Sequence, residues 1–524
     1  MLSIEEIKLQ FEKAYDRWTS EDDDLLKKLY LGYRQSKPFS FARFTAELAL
    51  RFNRKPGAVR SRLKKFFPED FGEKDSVSKV TYKVPKRKVV ADEDGPILLS
   101  KEMKNAYSAM EDTKDHIFLT GRAGTGKSTL LQYFKSHTKK NVAVVAPTGI
   151  AALNVQGQTI HSFCSFSPAT TLSEIKKLSP WSPKKRLIPK LETLVIDEVS
   201  MVRSDLLDCV DKFLRLNGKY SKKPFGGVQI IFVGDLFQLP PVVRREENIF
   251  FEDETSVPYF FGALVMREID LKIIQLTKIY RQEGDEEFIE VLNAVRVGDF
   301  NDEHLEILNT RVNVKNETQN YTVYLATTNA LANTINARKL AQIPGMPKVL
   351  EGRLEGRFTK DAPVEPELQL KVGAQVMMLN NDKQKRWYNG TLGKVVGFEK
   401  GEGISLGVRV HLESGKEEQV FPYTWESMEF VYNEDADEIE SDVIGTYTQY
   451  PMKLAWAFTI HKSQGKTFER VIVDFSHGTF AHGQAYVALS RCKSLKGLTL
   501  MQPILKKHVI VDEVVLGFLS KHGL

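Results

Sequence analysis

A chain of 524 residues has room for three or four domains of ordinary size, and its 42% hydrophobic and 27% charged residues are those of soluble globular proteins. The apolar runs have strand length, far below the roughly 20 residues that a membrane span needs. Three widely separated cysteines (Cys164, Cys209 and Cys492) give neither a disulfide framework nor metal-ligand spacing. The first residues, MLSIEEIKLQ, lack a basic-then-apolar signal pattern, so the expected location is cytoplasmic in a prokaryote or virus and nuclear in a eukaryote.

The net charge of +6 is unevenly placed. Between residues 51 and 90, 13 Lys and Arg stand against 4 Asp and Glu, a local +9 that leaves −3 for the rest. Such a concentration points to a polyanion partner, or to a solvated basic face with a linker.

In chain order, residues 1–72 read as helical. Arg17-Trp-Thr-Ser-Glu-Asp-Asp-Asp-Leu-Leu is a helix start that Thr19 or Ser20 can cap. Phe44–Phe52 suits a second helix, Asn53-Arg-Lys-Pro-Gly a turn, and Ala58–Phe66 a third. This three-helix module resembles the Myb/SANT type. Its third helix is expected to carry Arg60, Arg62, Lys64 and Lys65 around the solvent side, where they suit DNA phosphates, although similar modules also bind proteins. Residues 73–95 are charged and lack aliphatic periodicity, which predicts a linker whose Lys83 and Lys86-Arg-Lys88 add positive charge.

From 96 to 275, short β-branched runs alternate with helical stretches, as in a parallel sheet with flanking helices, with a small insertion near 164–190. Residues 276–524 begin in the same way. At about 388–432, Gly-punctuated alternating strands predict a small antiparallel barrel inserted into this second unit, with Phe398 and Phe421 in its core.

The segment from His116 to Leu130 fits strand, loop and helix, and Gly121–Ser128 match G-x-x-x-x-G-K-S. Backbone N–H groups of Gly121, Arg122, Ala123, Gly124, Thr125 and Gly126 would surround phosphate oxygens, and the helix entered through Lys127, Ser128 and Thr129 points its positive end at them. Lys127 can reach the β- and γ-phosphates, and Ser128 can ligate Mg²⁺. Leu191–Ser200 is an apolar strand ending in two carboxylates: Asp197 suits Mg²⁺, largely through water, and Glu198 suits a general base. Ile230–Pro241 is a third strand ending in polar groups, among them Gln238, an amide able to sense a γ-phosphate. Together these residues predict an enzyme that hydrolyses a nucleoside triphosphate with Mg²⁺.

Further motifs stand in order along the chain: Ala146-Pro-Thr-Gly-Ile-Ala-Ala-Leu-Asn, Gln158-Thr-Ile-His-Ser-Phe, Gly234-Asp-Leu-Phe-Gln-Leu-Pro-Pro-Val, Leu276-Thr-Lys-Ile-Tyr-Arg-Gln, Phe458-Thr-Ile-His-Lys-Ser-Gln-Gly-Lys-Thr-Phe and Ala485-Tyr-Val-Ala-Leu-Ser-Arg-Cys. With the phosphate loop they resemble the petite integration frequency (PIF) family of superfamily 1 5′→3′ DNA helicases, from about Leu98 to about Gln502. The stretch from Asp211-Lys-Phe-Leu-Arg to Pro224-Phe-Gly-Gly resembles the part that separates this family from RecD-type enzymes.

The resemblance implies two RecA-like lobes, a small Src-homology-type barrel in the second, and ATP-driven stepping along single-stranded DNA for genome maintenance. It implies that Arg281 and Arg491 contact the γ-phosphate, that Gln464 and Gly465 lie near nucleotide and DNA, and that Thr148, His161, Thr459 and His461 face single-stranded DNA. Phe163 could stack on a base but suits packing better. The expected partners are single-stranded, tailed or structured DNA and replication or repair proteins; the expected state is a monomer, away from membranes. One departure stands out. Leu99-Ser-Lys-Glu-Met puts Met103 where the family pattern L-x-x-E-Q has the Gln that bonds adenine, which opens the choice of nucleotide or leaves base reading to a backbone group. A RecD-like motor subunit of a nuclease complex, and a DNA-stimulated NTPase switch without unwinding, remain alternatives.

Overall fold

The computed structural model describes residues 19–36, 48, 51–52, 56–67, 99–167, 169–182, 184–243, 257–280, 285–314, 320–358, 362–400, 406–434, 436–475, 478–479 and 481–524. The chain divides into two compact units, Met1–Val90 and Ala91–Leu524.

In the first unit, helix Ser20–Ser36 starts at Thr19, whose hydroxyl accepts the Asp22 N–H at 3.1 Å. Helix Pro56–Phe66 opens on a proline, which suits the first turn. Leu26, Tyr30, Leu48, Phe52, Val59 and Leu63 pack together as its core. Lys64 and Lys65 are exposed. Arg62 departs from the expected solvent side: it grips Asp23 of the first helix through two hydrogen bonds, of 2.7 and 2.5 Å. It follows Val59 by three residues and precedes Leu63, which turns it onto the packing edge. That bond holds the Asp23 carboxyl below its ordinary range. The expected linker, 73–95, and most of the expected second helix lie outside the described residues.

The second unit opens with six parallel strands: β1 (His116–Gly121), β2 (Val142–Ala146), β3 (Gln158–Thr159), β4 (Thr193–Ile196), β5 (Gln229–Val233) and β6 (Leu271–Leu276), in the spatial order β3-β2-β4-β5-β1-β6. The central strands are buried along nearly their whole length, as in a parallel sheet covered on both faces. On β1, Ile117 and Leu119 face helices Lys101–Asp112 and Lys127–His137, while Phe118 faces the other side, the two-residue alternation of a strand. Asp211 ties helix Ser204–Asn217 to the turn at Pro224–Gly227 by accepting the Phe225 N–H at 2.5 Å.

The chain then lays down β7 (Thr322–Ala326), the first strand of a second parallel sheet. Ten strands follow before that sheet resumes: β8 (Lys348–Glu351), β9 (Arg353–Gly356), β10 (Glu367–Leu370), β11 (Gln375–Met378), β12 (Leu392–Lys400), β13 (Leu406–Leu412), β14 (Glu417–Val420), β15 (Tyr423–Asn433), β16 (Glu438–Gln449) and β17 (Met452–Leu454). They form antiparallel sheets ordered β14-β13-β12-β11-β17, β15-β16-β9 and β10-β8. This insertion has its own core around Val376, Val395, Val408, Val410, Trp425 and Tyr447. Phe398 packs against it, but Phe421 does not join it and is 40% exposed, because it falls with Pro422 in the short link between β14 and β15. Finally β18 (Ala457–Thr459), β19 (Arg470–Val473) and β20 (Leu498–Leu500) complete the order β18-β7-β19-β20, all parallel. The fold is α/β: two RecA-like lobes, the second interrupted by the antiparallel insertion. Among the described residues, no helix is long and apolar enough to cross a membrane.

Candidate nucleotide-hydrolysis site

Strands β4, β5 and β1 are neighbours and run parallel, so their carboxyl ends open on one edge, where α/β sheets bind ligands. The loop from Gly121 follows β1, Asp197 and Glu198 follow β4, and Gly234–Gln238 follow β5. Gly126 caps helix Lys127–His137 at φ +86°, a left-handed backbone that favours glycine, and a Cβ there would lie 2.3 Å from the Met103 methyl, which would have to swing aside. No side chain caps this helix, which leaves its first N–H groups directed at the cleft. Lys127 folds back over the loop, its Nζ donating to the carbonyls of Gly121 at 2.6 Å and Arg122 at 3.0 Å.

Glu198 adopts a left-handed backbone, φ 50° and ψ 45°, a strain on the order of 1–3 kcal/mol for a non-glycine residue. Its carboxylate accepts from Gln464 Nε2 at 3.1 Å, and the same amide donates to Gln238 Oε1 at 2.9 Å. One side chain from the second lobe thus joins the ends of β4 and β5. Burial pushes the Asp197 carboxyl up, and the neighbouring Glu198 adds to it. Burial also raises Glu198, while Lys127 and Arg491 pull the other way. Arg491 is 1% exposed; it donates to the carbonyls of Val487 at 2.8 Å and Lys466 at 3.1 Å, and to Ser490 Oγ at 2.7 Å.

These groups surround a cleft of about 630 Å³, the size of a small-molecule site. Ala123, Gly124, Thr125, Gly126, Lys127, Ser128, Thr129, Asp197, Glu198 and Gln238 line it from the first lobe, and Gly465 and Arg491 from the second. Gly121 and Arg122 lie beneath the lysine. Arg281 lies outside the described residues; Tyr280 before it donates its N–H to Gly124 O at 2.9 Å and lines the cleft.

The residues expected to face DNA sit at the carboxyl ends of outer strands. Thr148 follows β2 and caps helix Gly149–Asn154, accepting the Ala151 N–H at 3.2 Å. His161 follows β3 and His461 follows β18; both are half-buried, and burial lowers both imidazoles. Thr459 is only 4% exposed and accepts the Lys462 N–H at 3.3 Å, so its hydroxyl is engaged within the fold. Phe163 is buried edge-on to Phe430 at 6.1 Å, which is packing.

Sequence reasoning missed several groups. Asp235 and Arg296 form a buried ion pair at 2.9 Å, and the guanidinium lies 4.1 Å from the Phe237 ring centre. Asp235 also accepts the Phe237 N–H at 3.2 Å and approaches Gln238 Nε2 at 3.4 Å. Tyr486 accepts the Ala123 N–H at 3.3 Å and bonds Arg296, so a polar chain runs from the phosphate loop to Gln238. The signal for Arg296 was its place on helix Glu286–Val297, on the apolar stripe with Phe288, Val291, Leu292 and Val295. Lys453 and Lys466 are half-buried, and burial lowers them to about 7 and about 8. Lys466 donates to Asn389 Oδ1 at 2.6 Å, and Asn389 reaches Asn154 of the first lobe at 3.4 Å. Lys466 lies within the Phe458–Phe468 motif without being singled out there, and no local pattern marks Lys453.

A phosphate loop in one lobe, completed by Gln464 and Arg491 from the other, defines a two-lobed nucleoside-triphosphate hydrolase of the motor class. Residues 98–306 match the model of the PIF1-like helicase family, and residues 357–398 match that of the DNA helicase Pif1 2B domain. The chain is similar to the ATP-dependent DNA helicase Pif1 of Bdellovibrio bacteriovorus, 34% identical over 434 residues, 80% of this chain and 92% of that protein. It is 35% identical to human ATP-dependent DNA helicase PIF1 over 74% of this chain, spanning 58% of the human protein. Bacteroides Pif1 is 37% identical, with 82% of this chain and 97% of that one covered; the TM-score is 0.73 to its complex with ADP-AlF4 and 0.59 to its form bound to single-stranded DNA. The chain belongs to the PIF1-like helicase family.

Proposed function

We propose that this chain is an ATP-dependent DNA helicase that moves 5′→3′ along a single strand and unwinds tailed or structured duplexes in genome maintenance, acting as a monomer alongside replication or repair proteins. The carrying observation is Gln464, which joins Glu198 and Gln238 from the opposite lobe, so that hydrolysis and lobe position share the same hydrogen bonds.

In this reading Lys127 and the helix N-terminus offset the charge on the β- and γ-phosphates. Glu198 polarises the attacking water, and the burial that raises its proton affinity suits a general base. Gln238 and Gln464 sense the γ-phosphate, and Arg491, joined by Arg281, stabilises its charge in transfer. Ser128 and Asp197 would hold Mg²⁺, which polarises the phosphates when bound. The fit is good: a hydroxyl and a buried carboxylate beside the phosphate loop are hard oxygen donors, and phosphates and waters fill the remaining positions. Residues 96–275 serve as lobe one and 276–524 as lobe two, the antiparallel insertion β8–β17 included, which is wider than the expected 388–432.

A Bacteroides Pif1 structure bound to single-stranded DNA supports a single strand as the track, and the two-lobed fold suits a strand running over both lobes. Thr148, His161, Thr459 and His461 are its proposed neighbours, with Lys453 and Lys466 supplying charge. Residues 1–72 serve as a DNA-tethering module in which Lys64 and Lys65 meet phosphates; the Arg60 side chain lies outside the described residues, and Arg62 is committed to Asp23. The proposed compartment is the cytoplasm or, in a eukaryote, the nucleus. Polarity tests the reading: a duplex with a 5′ single-stranded tail is expected to separate in the presence of ATP, at least about tenfold faster than one with a 3′ tail, because translocation drives strand separation. Equal rates, or preference for the 3′ tail, would overturn it.

A further inference from the structure

The loop, Glu198, Gln238 and Arg491 mark the phosphate end of the cleft, and the lining beside Gly126 is the part open to a nucleoside. Two side chains converge there. A Cβ built on Gly126 would lie 2.3 Å from Met103 Cε and 3.9 Å from Tyr280 Cε2, and both residues line the cleft. Met103 is 5% exposed and lies on the first turn of helix Lys101–Asp112, its N–H donating to Oγ of the capping Ser100 at 3.2 Å. The adjoining carboxylate, Glu102, is committed elsewhere: it accepts the Thr277 N–H at 3.0 Å and the Thr277 hydroxyl at 2.5 Å. Among the described lining residues at this end there is no side-chain amide or carboxylate. Tyr280 carries a phenolic hydroxyl and Thr129 an aliphatic one; each donates or accepts with equal ease and so distinguishes no base edge.

We infer that Met103 and Tyr280 make this a base-indifferent nucleotide site, so that the chain hydrolyses GTP, CTP and UTP as well as ATP. The inference rests on the hydrolytic reading of the same cleft. A thioether and an aromatic ring offer every base the same contact, dispersion against its π-face. Selectivity needs something different. A site built to hydrogen-bond one edge rejects a wrong partner by factors of about 10⁴–10⁵, because a buried polar group is then stranded, whereas an apolar pocket separates ligands by roughly 10–200. The described base end is of the second kind. Larger ring area favours purines mildly, and nothing there separates adenine from guanine by its exocyclic group.

The test is steady-state hydrolysis of the four ribonucleoside triphosphates by the full chain with saturating oligo-dT. The expected kcat/KM values for ATP and GTP lie within about tenfold of each other, with CTP and UTP no more than about 100-fold below. Preference for ATP over GTP by more than about 100-fold would overturn the inference and leave the helicase reading standing; no hydrolysis of any of the four would overturn both. Met103→Gln, which places an amide at the same position, is expected to raise the ATP-to-GTP ratio at least about tenfold, while Met103→Leu, apolar and similar in size, leaves it flat. A ratio that moves equally in both variants, or in neither, would also overturn it.

Discussion

Lys127→Ala is expected to lower the turnover of ATP by at least about 100-fold while leaving single-stranded DNA binding intact. The lysine's ammonium is held directly over the phosphate loop, tethered to the carbonyls of Gly121 and Arg122 and lining the cleft. It also lowers the proton affinity of both Asp197 and Glu198, so alanine removes a charge from the phosphates and releases two carboxylates from their nearest cation. The fold should survive, because Leu130, Leu131 and Phe134 on the other face of the same helix carry its packing. Turnover by a phosphate-release assay and oligonucleotide affinity by anisotropy would be compared on one preparation. Retained turnover would refute the assignment of the loop.

Arg296→Met is expected to cost about 3–5 kcal/mol of stability, the range for breaking a buried ion pair from one side, read from the denaturation midpoint. Burial alone would raise the Asp235 carboxyl, yet the charge and hydrogen bond of Arg296, the Lys127 charge and the Phe237 N–H together outweigh it and hold the group below its ordinary range. Burial likewise works against charged Arg296, and Asp235 and Tyr486 more than offset it. Each charge is offset chiefly by the other, and removal of one strands a buried charge on the second. Asp235→Leu combined with Arg296→Met should recover most of the loss, since a matched apolar pair is close to neutral in stability. Turnover should not recover with it, because Asp235 bonds the Phe237 N–H beside Gln238. Recovery of both would reduce the pair to packing.

The hydrolytic site was legible where its chemistry is local. Gly121–Ser128, Asp197-Glu198 and Gln238 each follow a buried strand within a few residues, and parallel pairing of β4, β5 and β1 then brings the three ends together. What was not legible depends on pairing between distant segments. The antiparallel insertion recruits β11 and β17 from outside the Gly-punctuated stretch, and β17 pairs with β11 across more than 70 residues, beyond the reach of a hairpin pattern. Phe421 alternates like a core residue but falls in a link between strands. Arg62 was placed by composition on a basic surface, whereas its partner, Asp23, lies on another helix. Tyr486 meets Ala123 across more than 360 residues. Lys453 and Lys466 become unusual only when the fold buries two cations near each other.

The most direct measurement is ATP turnover by the purified full chain, with and without single-stranded oligonucleotide. The shared hydrogen bonds of Gln464 with Glu198 and Gln238 predict that a strand lying over both lobes resets the catalytic groups, so turnover should rise by at least about tenfold with saturating oligo-dT. A rate that is the same with and without the oligonucleotide would contradict the account.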